Sequence, residues 1–403
     1  MRRRPRLACP VVALTCSLAL AGAVRCGGDG TRLPFEGGDA TRLPRAGGDE
    51  NSLLPLVLST WPWTAAAEAG AAALAASTAA GASPREARLD AVVAAATSCE
   101  RSHCGGPGHG APGTVGPGGS PDERGGTSLD AVVMDGPSAA AGAVGCLTAS
   151  PSAAATARAV LERTAHTLLV GPGADAFAAA AGLPAHANLS TPASVAAWAA
   201  WRARGCQPNF WRALPGLRPD PRAACGPYVG GVEGGASFQQ HEPPARISAA
   251  SHDTLAVVVV DAGGASAAGA SSNGAAHKIP GRVGDAAVPG GGAYASAAGG
   301  CGATGDGDAH LRFLPCAHAL ALVEGGAGPA AAAEAVVARM AAAVPGYTGA
   351  LVVADGGGRV GAAAAGWGAP GFAYALVRGE GRAQVVGVPN LRRRDGGGGV
   401  KSE

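Results

Sequence analysis

The sequence predicts an α+β fold on three observations. Alanine-rich stretches with helical spacing cluster before residue 205, short apolar runs bounded by Gly, Pro and Asp recur from residue 54 onward, and the texture turns to strands after Thr254. Of 403 residues, 66 are glycine and 47% are hydrophobic, but only 4% are aromatic. A core with so few rings must be built from small aliphatic side chains at close spacing.

Residues 1–23 read as a signal peptide. Arg2, Arg3, Arg4 and Arg6 precede an apolar stretch at 7–21 and the small-residue site Ala21-Gly22-Ala23. About 15 apolar residues are short for a membrane span of about 20, and an organellar transit peptide stays open as an alternative. Without those arginines 27 basic residues face 29 acidic ones, so no basic footprint for nucleic acid survives. Neither nucleic acid nor, once the signal is removed, a membrane is an expected partner. Ten cysteines point to an oxidising compartment, and Cys9 and Cys16 would leave with the signal. Asn188-Leu189-Ser190 is a glycosylation sequon if the chain is secreted.

Residues 24–52 are expected to be a disordered, Gly-rich linker, and 27–50 within them hold a ten-residue repeat, with Gly-Gly-Asp starting at Gly27, Gly37 and Gly47. Folded sequence then begins at 53. A strand at 54–58 runs into Ser59-Thr60-Trp61-Pro62-Trp63, where the proline forces a turn. Helices are expected at 65–76 and 84–99. Cys99 and Cys104 with His103 and His109 match no standard zinc spacing, so no metal site is predicted and the two cysteines are read as a local disulfide. A Gly/Pro-rich loop at 105–119 leads to a strand at 129–135, a turn at Gly136-Pro137 and a pairing strand at 139–144. A helix at 152–166, capped by Ser150 or Ser152, a strand at 167–170 and helices at 174–181 and 192–204 follow. Cys206 and Cys225 flank a Pro/Trp-rich segment as the next disulfide. Residues 229–250 lack periodicity and read as an exposed, mobile connector.

Beyond the connector, strands are expected at 255–261 and 266–270, then a Gly-rich run, helices at 311–325 and 330–343, and strands at 349–354, 359–364 and 371–377. Gly356-Gly357-Gly358-Arg359-Val360-Gly361 satisfies a dinucleotide fingerprint, but no helix can follow it, so it is read as a hairpin turn and no cofactor is expected. Residues 379–403 read as a disordered tail.

The stretch His252-Asp253-Thr254 stands between connector and strand. If the Asp253–Thr254 bond were cut, Thr254 would carry both a nucleophilic hydroxyl and a base, since an α-amino group has a pKa of roughly 7.7–8.0.

Together with this tripeptide, a set of motifs in fixed order resembles the glycosylasparaginase family of N-terminal-nucleophile hydrolases. The set comprises Ser59-Thr60-Trp61-Pro62, Cys99-Glu100-Arg101 with Cys104, Gly118-Gly119-Ser120-Pro121-Asp122-Glu123, Cys206-Gln207-Pro208-Asn209 and Cys225-Gly226-Pro227-Tyr228. It continues with Gly281-Arg282-Val283-Gly284-Asp285, Thr304-Gly305-Asp306-Gly307-Asp308 and Arg312-Phe313-Leu314-Pro315. The resemblance implies a four-layer αββα sandwich. It also implies self-cleavage at Asp253–Thr254, assisted or strained by His252 and Asp253, into an α chain ending at 253 and a β chain over 254–378. Thr254 would then attack the side-chain amide of a glycosylated asparagine. Thr304 and Gly305, in a Gly-rich turn, would form the oxyanion hole. Arg282 would bind the substrate α-carboxylate, Asp285 and the Gly307 carbonyl its α-amino group, and Trp61 would line the pocket. The expected assembly is a dimer of αβ units in the secretory pathway, lysosome, vacuole or outside the cell.

Three departures stand out. Ser272 occupies a catalytic position that usually holds threonine, Thr114 stands near an expected serine, and Cys301 and Cys316 fall away from the β-chain disulfides of animal members. Alternative readings are an isoaspartyl peptidase or L-asparaginase of the same fold, and an unprocessed glycopeptide-binding domain.

Overall fold

The computed structural model describes residues 53–104, 115–231, 254–368 and 371–392. The expected signal peptide and linker, most of the 229–250 connector, His252, Asp253, most of the 105–119 loop and Thr114 lie outside the described residues.

Among the described residues, twelve strands form two sheets. The larger contains β1 (Leu56–Thr60), β2 (Leu129–Asp135), β3 (Ala140–Leu147), β4 (Leu168–Val170), β5 (Leu255–Val260), β6 (Ser266–Ser272), β11 (Phe372–Arg378) and β12 (Gln384–Val388). Their order is β12-β11-β1-β5-β6-β2-β3-β4, antiparallel except for the β3–β4 pair. The smaller sheet, β10-β9-β8-β7, is antiparallel throughout and is built from β7 (Ala293–Ser296), β8 (Gly299–Gly305), β9 (Gly349–Asp355) and β10 (Val360–Ala365).

Side-chain alternation along these strands feeds three apolar clusters. Val57, Leu255, Val257 and Val259 face the helices α1 (Thr64–Ala79), α2 (Pro84–Ser102) and α3 (Ala153–Arg163). Leu56, Leu58, Ala256, Val258 and Val260 point the other way, toward Ala350, Val352 and Ala354 of the smaller sheet. The far side of that sheet, with Cys301, Ala303, Leu351 and Val353, packs on α7 (Pro315–Glu324) and α8 (Pro329–Ala343). The unbroken valine run of β5 therefore reflects burial on both faces.

Local chemistry explains two of the helix starts, whereas Ser152 precedes α3 without a side-chain cap. Ser83 and Glu86 form a capping box ahead of Pro84, and Thr191 with Ser194 does the same for α5 (Pro192–Ala203). Arg88 on α2 is buried and binds Asp135 at 2.8 Å and Asp261 at 2.5 Å, which ties the helix to the ends of β2 and β5.

Several expectations are corrected. The helix expected over 311–325 is two helices, α6 (Gly307–Phe313) and α7, because Leu314 takes φ 46° and Pro315 cannot continue α6. The Gly-rich run contains the strands β7 and β8. Residues 379–403 are not wholly a tail, since β12 pairs with β11. Val229, placed in the connector, exchanges both backbone hydrogen bonds with Arg218. The helix expected from residue 174, α4 (Gly171–Ala180), starts at Gly171. Asp355–Arg359 makes the β9–β10 turn, as the hairpin reading of the fingerprint requires.

Candidate active site

Thr254 immediately precedes β5, the strand flanked by β1 and β6 near the middle of the larger sheet, and is fully buried. Its backbone is held by Thr60, whose Oγ1 donates to the Thr254 carbonyl at 2.9 Å and accepts from Ala256 N–H at 2.8 Å. The Thr254 nitrogen donates to Thr304 Oγ1 at 3.1 Å, and Trp61 Nε1 donates to the same oxygen at 3.1 Å. With both acceptor positions of that hydroxyl taken, its own proton is what it has left to offer. Thr254 Oγ1 is buried and makes no hydrogen bond among the described residues.

Thr304 and Gly305 end β8, a correction to the turn expected there. Gly305 has φ 122°, and a Cβ there would lie 2.4 Å from the Thr348 carbonyl, so only glycine fits. Trp61 also has a left-handed backbone, φ 68°, costly for a bulky residue and held by ring contacts with Trp63, Trp367 and Phe372. Ser272 stands apart from this chain of bonds: its Oγ accepts from Gly274 N–H at 2.8 Å. The β5–β6 register pairs Leu255 with Ser271 and, carried one residue further, sets Ser272 opposite Thr254.

Arg282 and Asp285 lie together on the loop after β6. Arg282 pairs with Asp308, its Nη2 lying 3.3 Å from Oδ2 and its Nε donating to Oδ1 at 3.4 Å, while its buried Nη1 makes no hydrogen bond among the described residues. Glycines make room for the guanidinium, since a Cβ on Gly274 or Gly284 would come within 2.7 or 2.6 Å of Nη1. Gly307 opens α6 against both charged groups: a Cβ there would lie 2.7 Å from Asp285 Oδ1 and 3.0 Å from Arg282 Nη2. Asp285 itself is buried, and its Oδ2 is 2.6 Å from His310 Nδ1. The arrangement offers adjacent positive and negative groups, the pattern that receives an amino-acid zwitterion.

Cys99–Cys104 and Cys206–Cys225 are paired as expected. Cys301 and Cys316 also pair, linking β8 to α7, where the sequence reading left them unassigned. No cluster of His, Cys, Asp and Glu suited to a metal ion occurs among the described residues. No helix among them is long and apolar enough to cross a membrane.

Residues 56–385 match the family described as asparaginase. This chain belongs to the asparaginase family. An N(4)-(Beta-N-acetylglucosaminyl)-L-asparaginase of Rattus norvegicus is 44% identical over 313 residues, 77% of this chain and 84% of the relative. The Mus musculus protein of that name is 44% identical over 314 residues, 78% and 85% of the two chains. A probable isoaspartyl peptidase/L-asparaginase 3 of Arabidopsis thaliana is 40% identical over 328 residues, covering 78% and 85%.

In this asparaginase-family chain, sequence reasoning missed the supporting residues of the site. Asp130 is buried on β2 and accepts from Gly284 N–H and Cys146 N–H, both at 2.8 Å, which anchors the Arg282 loop. Lys278 is buried and donates to the Asn273 carbonyl; burial pushes its pKa down, against the pull of Asp130. Glu100 is buried behind β6, where its Oε1 accepts from Ser271 Oγ at 2.7 Å and Ala154 N–H at 3.0 Å. Burial pushes the Glu100 carboxyl up to about 7 despite those two donors. Of these groups only Asp130, a charge inside an apolar strand, carried a local signal; Lys278 lies in the loop after β6 and Glu100 in the polar last turn of α2.

Proposed function

We propose that this chain is a self-processing amidohydrolase. It cleaves the amide between N-acetylglucosamine and the asparagine side chain in N4-(β-N-acetylglucosaminyl)-L-asparagine. The observation that carries this reading is the geometry at Thr254: a buried hydroxyl with no hydrogen-bond partner among the described residues, at the head of a central strand, beside a Thr304 hydroxyl whose proton is uncommitted. The names of the rat and mouse relatives support the substrate.

On this reading the precursor matures in steps. Residues 1–23 are removed as a signal, and residues 24–52 remain as a linker. Thr254 Oγ attacks the Asp253 carbonyl, the acyl group moves from nitrogen to oxygen, and water hydrolyses the ester. This leaves an α chain ending at Asp253, associated with a β chain that starts at Thr254. The two sheets and their helices then form an αββα sandwich, a reading supported by apolar clusters between helices and sheet, sheet and sheet, and sheet and helices. The αβ units pair as dimers. Three disulfides and an exposed Asn188 in the sequon support passage through the secretory pathway, toward a lysosome, a vacuole or the exterior.

Catalysis uses the freed terminus. Arg282 takes the substrate α-carboxylate, and Asp285 with the Gly307 carbonyl takes the α-ammonium. Trp61 lines the pocket and steadies Thr304. Thr254 Oγ attacks the amide carbonyl as its own α-amino group accepts the proton; Thr304 O–H and Gly305 N–H stabilise the oxyanion. The α-ammonium protonates the departing glycosylamine, which leaves a β-aspartyl ester on Thr254. Water, deprotonated by the α-amine, releases aspartate. Ser272 supports the nucleophile from the neighbouring strand. No cofactor enters the scheme.

Purified protein should run as two chains on denaturing gels, with Thr254 at a new N-terminus, and should release aspartate and sugar from the glycosylated substrate. Thr254→Ala should stay one chain and be inactive. Complete processing without turnover of that substrate would sink the assignment. The Arabidopsis relative's name favours a second reading, which a preference for a β-aspartyl dipeptide over the glycosylated substrate would establish.

A further inference from the structure

Behind Asp285 lies a buried polar pair. His310, on α6, has its Nδ1 2.6 Å from Asp285 Oδ2 and its Nε2 3.1 Å from the Tyr347 hydroxyl. His310 is 0% exposed, Asp285 1% and Tyr347 4%. Burial pushes the Tyr347 hydroxyl well above its ordinary range, so it keeps its proton. In a neutral ring Nε2 accepts that proton, and in a charged ring it donates to the phenol oxygen. Nδ1–H points at Asp285 in either state, so the orientation does not depend on the charge of the ring.

The consequence is a choice between the two carboxylate oxygens. The Asp285 backbone is already fixed, because its carbonyl accepts from Val288 N–H at 3.0 Å and Gly292 N–H at 2.9 Å. His310 holds Oδ2 and so restrains rotation of the side chain. Oδ1 then faces Gly307 and Arg282, the side proposed to receive the zwitterion. We propose that His310, seated by Tyr347, is a positioning residue that fixes Asp285 for recognition of the substrate α-ammonium. This rests on the assignment of Asp285 as the ammonium partner.

The test uses two substrates, the glycosylated asparagine and its analogue that keeps the α-carboxylate but lacks the α-amino group. His310→Leu should raise KM for the amino substrate about 10-fold with little change in kcat, and leave kcat/KM for the des-amino analogue unchanged. His310→Asn, which can place an N–H where Nδ1 was, should restore most of the loss. Tyr347→Phe, a deletion of one hydroxyl, should give the same selectivity with a smaller KM change of about 3-fold, and it serves if the His310 variants do not mature. Equal losses on both substrates, or an Asn variant no better than Leu, overturn the proposal. An unmodified enzyme that does not favour the amino substrate overturns the Asp285 assignment and the proposal with it. A preference that persists undiminished in His310→Leu overturns the proposal alone.

Discussion

Glu100 is buried where a carboxylate is costly, and that cost has a direction in pH. The folded chain holds the Glu100 proton up to about pH 7, whereas an unfolded chain releases it near 4.5. Between those values the folded state binds more protons, so stability from this group is full below about 4.5 and is lost as pH rises to about 7. The span corresponds to about 3 kcal/mol. Denaturant titrations should show stability falling across that window in the unmodified protein, with the slope much reduced in Glu100→Gln. A slope that is unchanged in the variant would remove Glu100 as its source. Nothing in Ser98-Cys99-Glu100-Arg101 distinguishes this glutamate from a solvated helix residue, because its burial comes from Ala154 and Ser271, far away in sequence. Arg282 and Asp285 were legible for the opposite reason: the run Gly281-Arg282-Val283-Gly284-Asp285 sets two opposite charges among glycines, a local pattern that the sequence itself displays. His310 was hidden, since a histidine on a short helix reads the same whether or not an aspartate lies behind it.

Among the elements, β8 shows where sequence patterning fails. Gly299-Gly300-Cys301-Gly302-Ala303 looks like a loop, yet it is a strand buried on both faces. Its glycines answer to the facing strand: a Cβ on Gly300 would lie 2.5 Å from Val258 Cγ1, and one on Gly302 would lie 2.7 Å from Ala256 Cβ. The close approach of the sheets dictates the composition, and that information is not local. By contrast β5, α2 and α8 lie close to the strand expected at 255–261 and the helices expected at 84–99 and 330–343. The break at Leu314-Pro315 carried its own signal in the proline, which the apolar spacing on either side obscured. The Cys301–Cys316 link closes a segment containing Thr304, Gly305, Gly307 and His310. Closing a loop of this length is worth about 3 kcal/mol in the chain-entropy view. The double variant Cys301→Ala/Cys316→Ala should lose stability on that order in denaturant titrations. An unchanged midpoint would show that the packing of α7 on β8 holds this segment without the crosslink.

At the scale of the molecule, the larger sheet interleaves the two halves of the chain. β12 and β11 come from after Thr254, β1 from before it, β5 and β6 from after, and β2, β3 and β4 from before. Strands from the two sides of the proposed cut therefore meet at three seams, β11–β1, β1–β5 and β6–β2. Each disulfide among the described residues lies wholly on one side of Thr254. A cut at this place would leave the molecule in one piece, since separating the fragments would unzip the middle of a sheet buried on both faces. It also changes the molecularity of folding. Before the cut, the precursor finds its structure as one chain, at a rate indifferent to its concentration. After it, denatured α and β chains must first meet, so refolding becomes second order, and tenfold dilution should slow it about tenfold. Thr254→Ala, still one chain, should refold at the same rate at every dilution, and stopped-flow or manual-mixing fluorescence distinguishes the two. A cut at the proposed bond would be a step that the chain could take once and could not readily retrace.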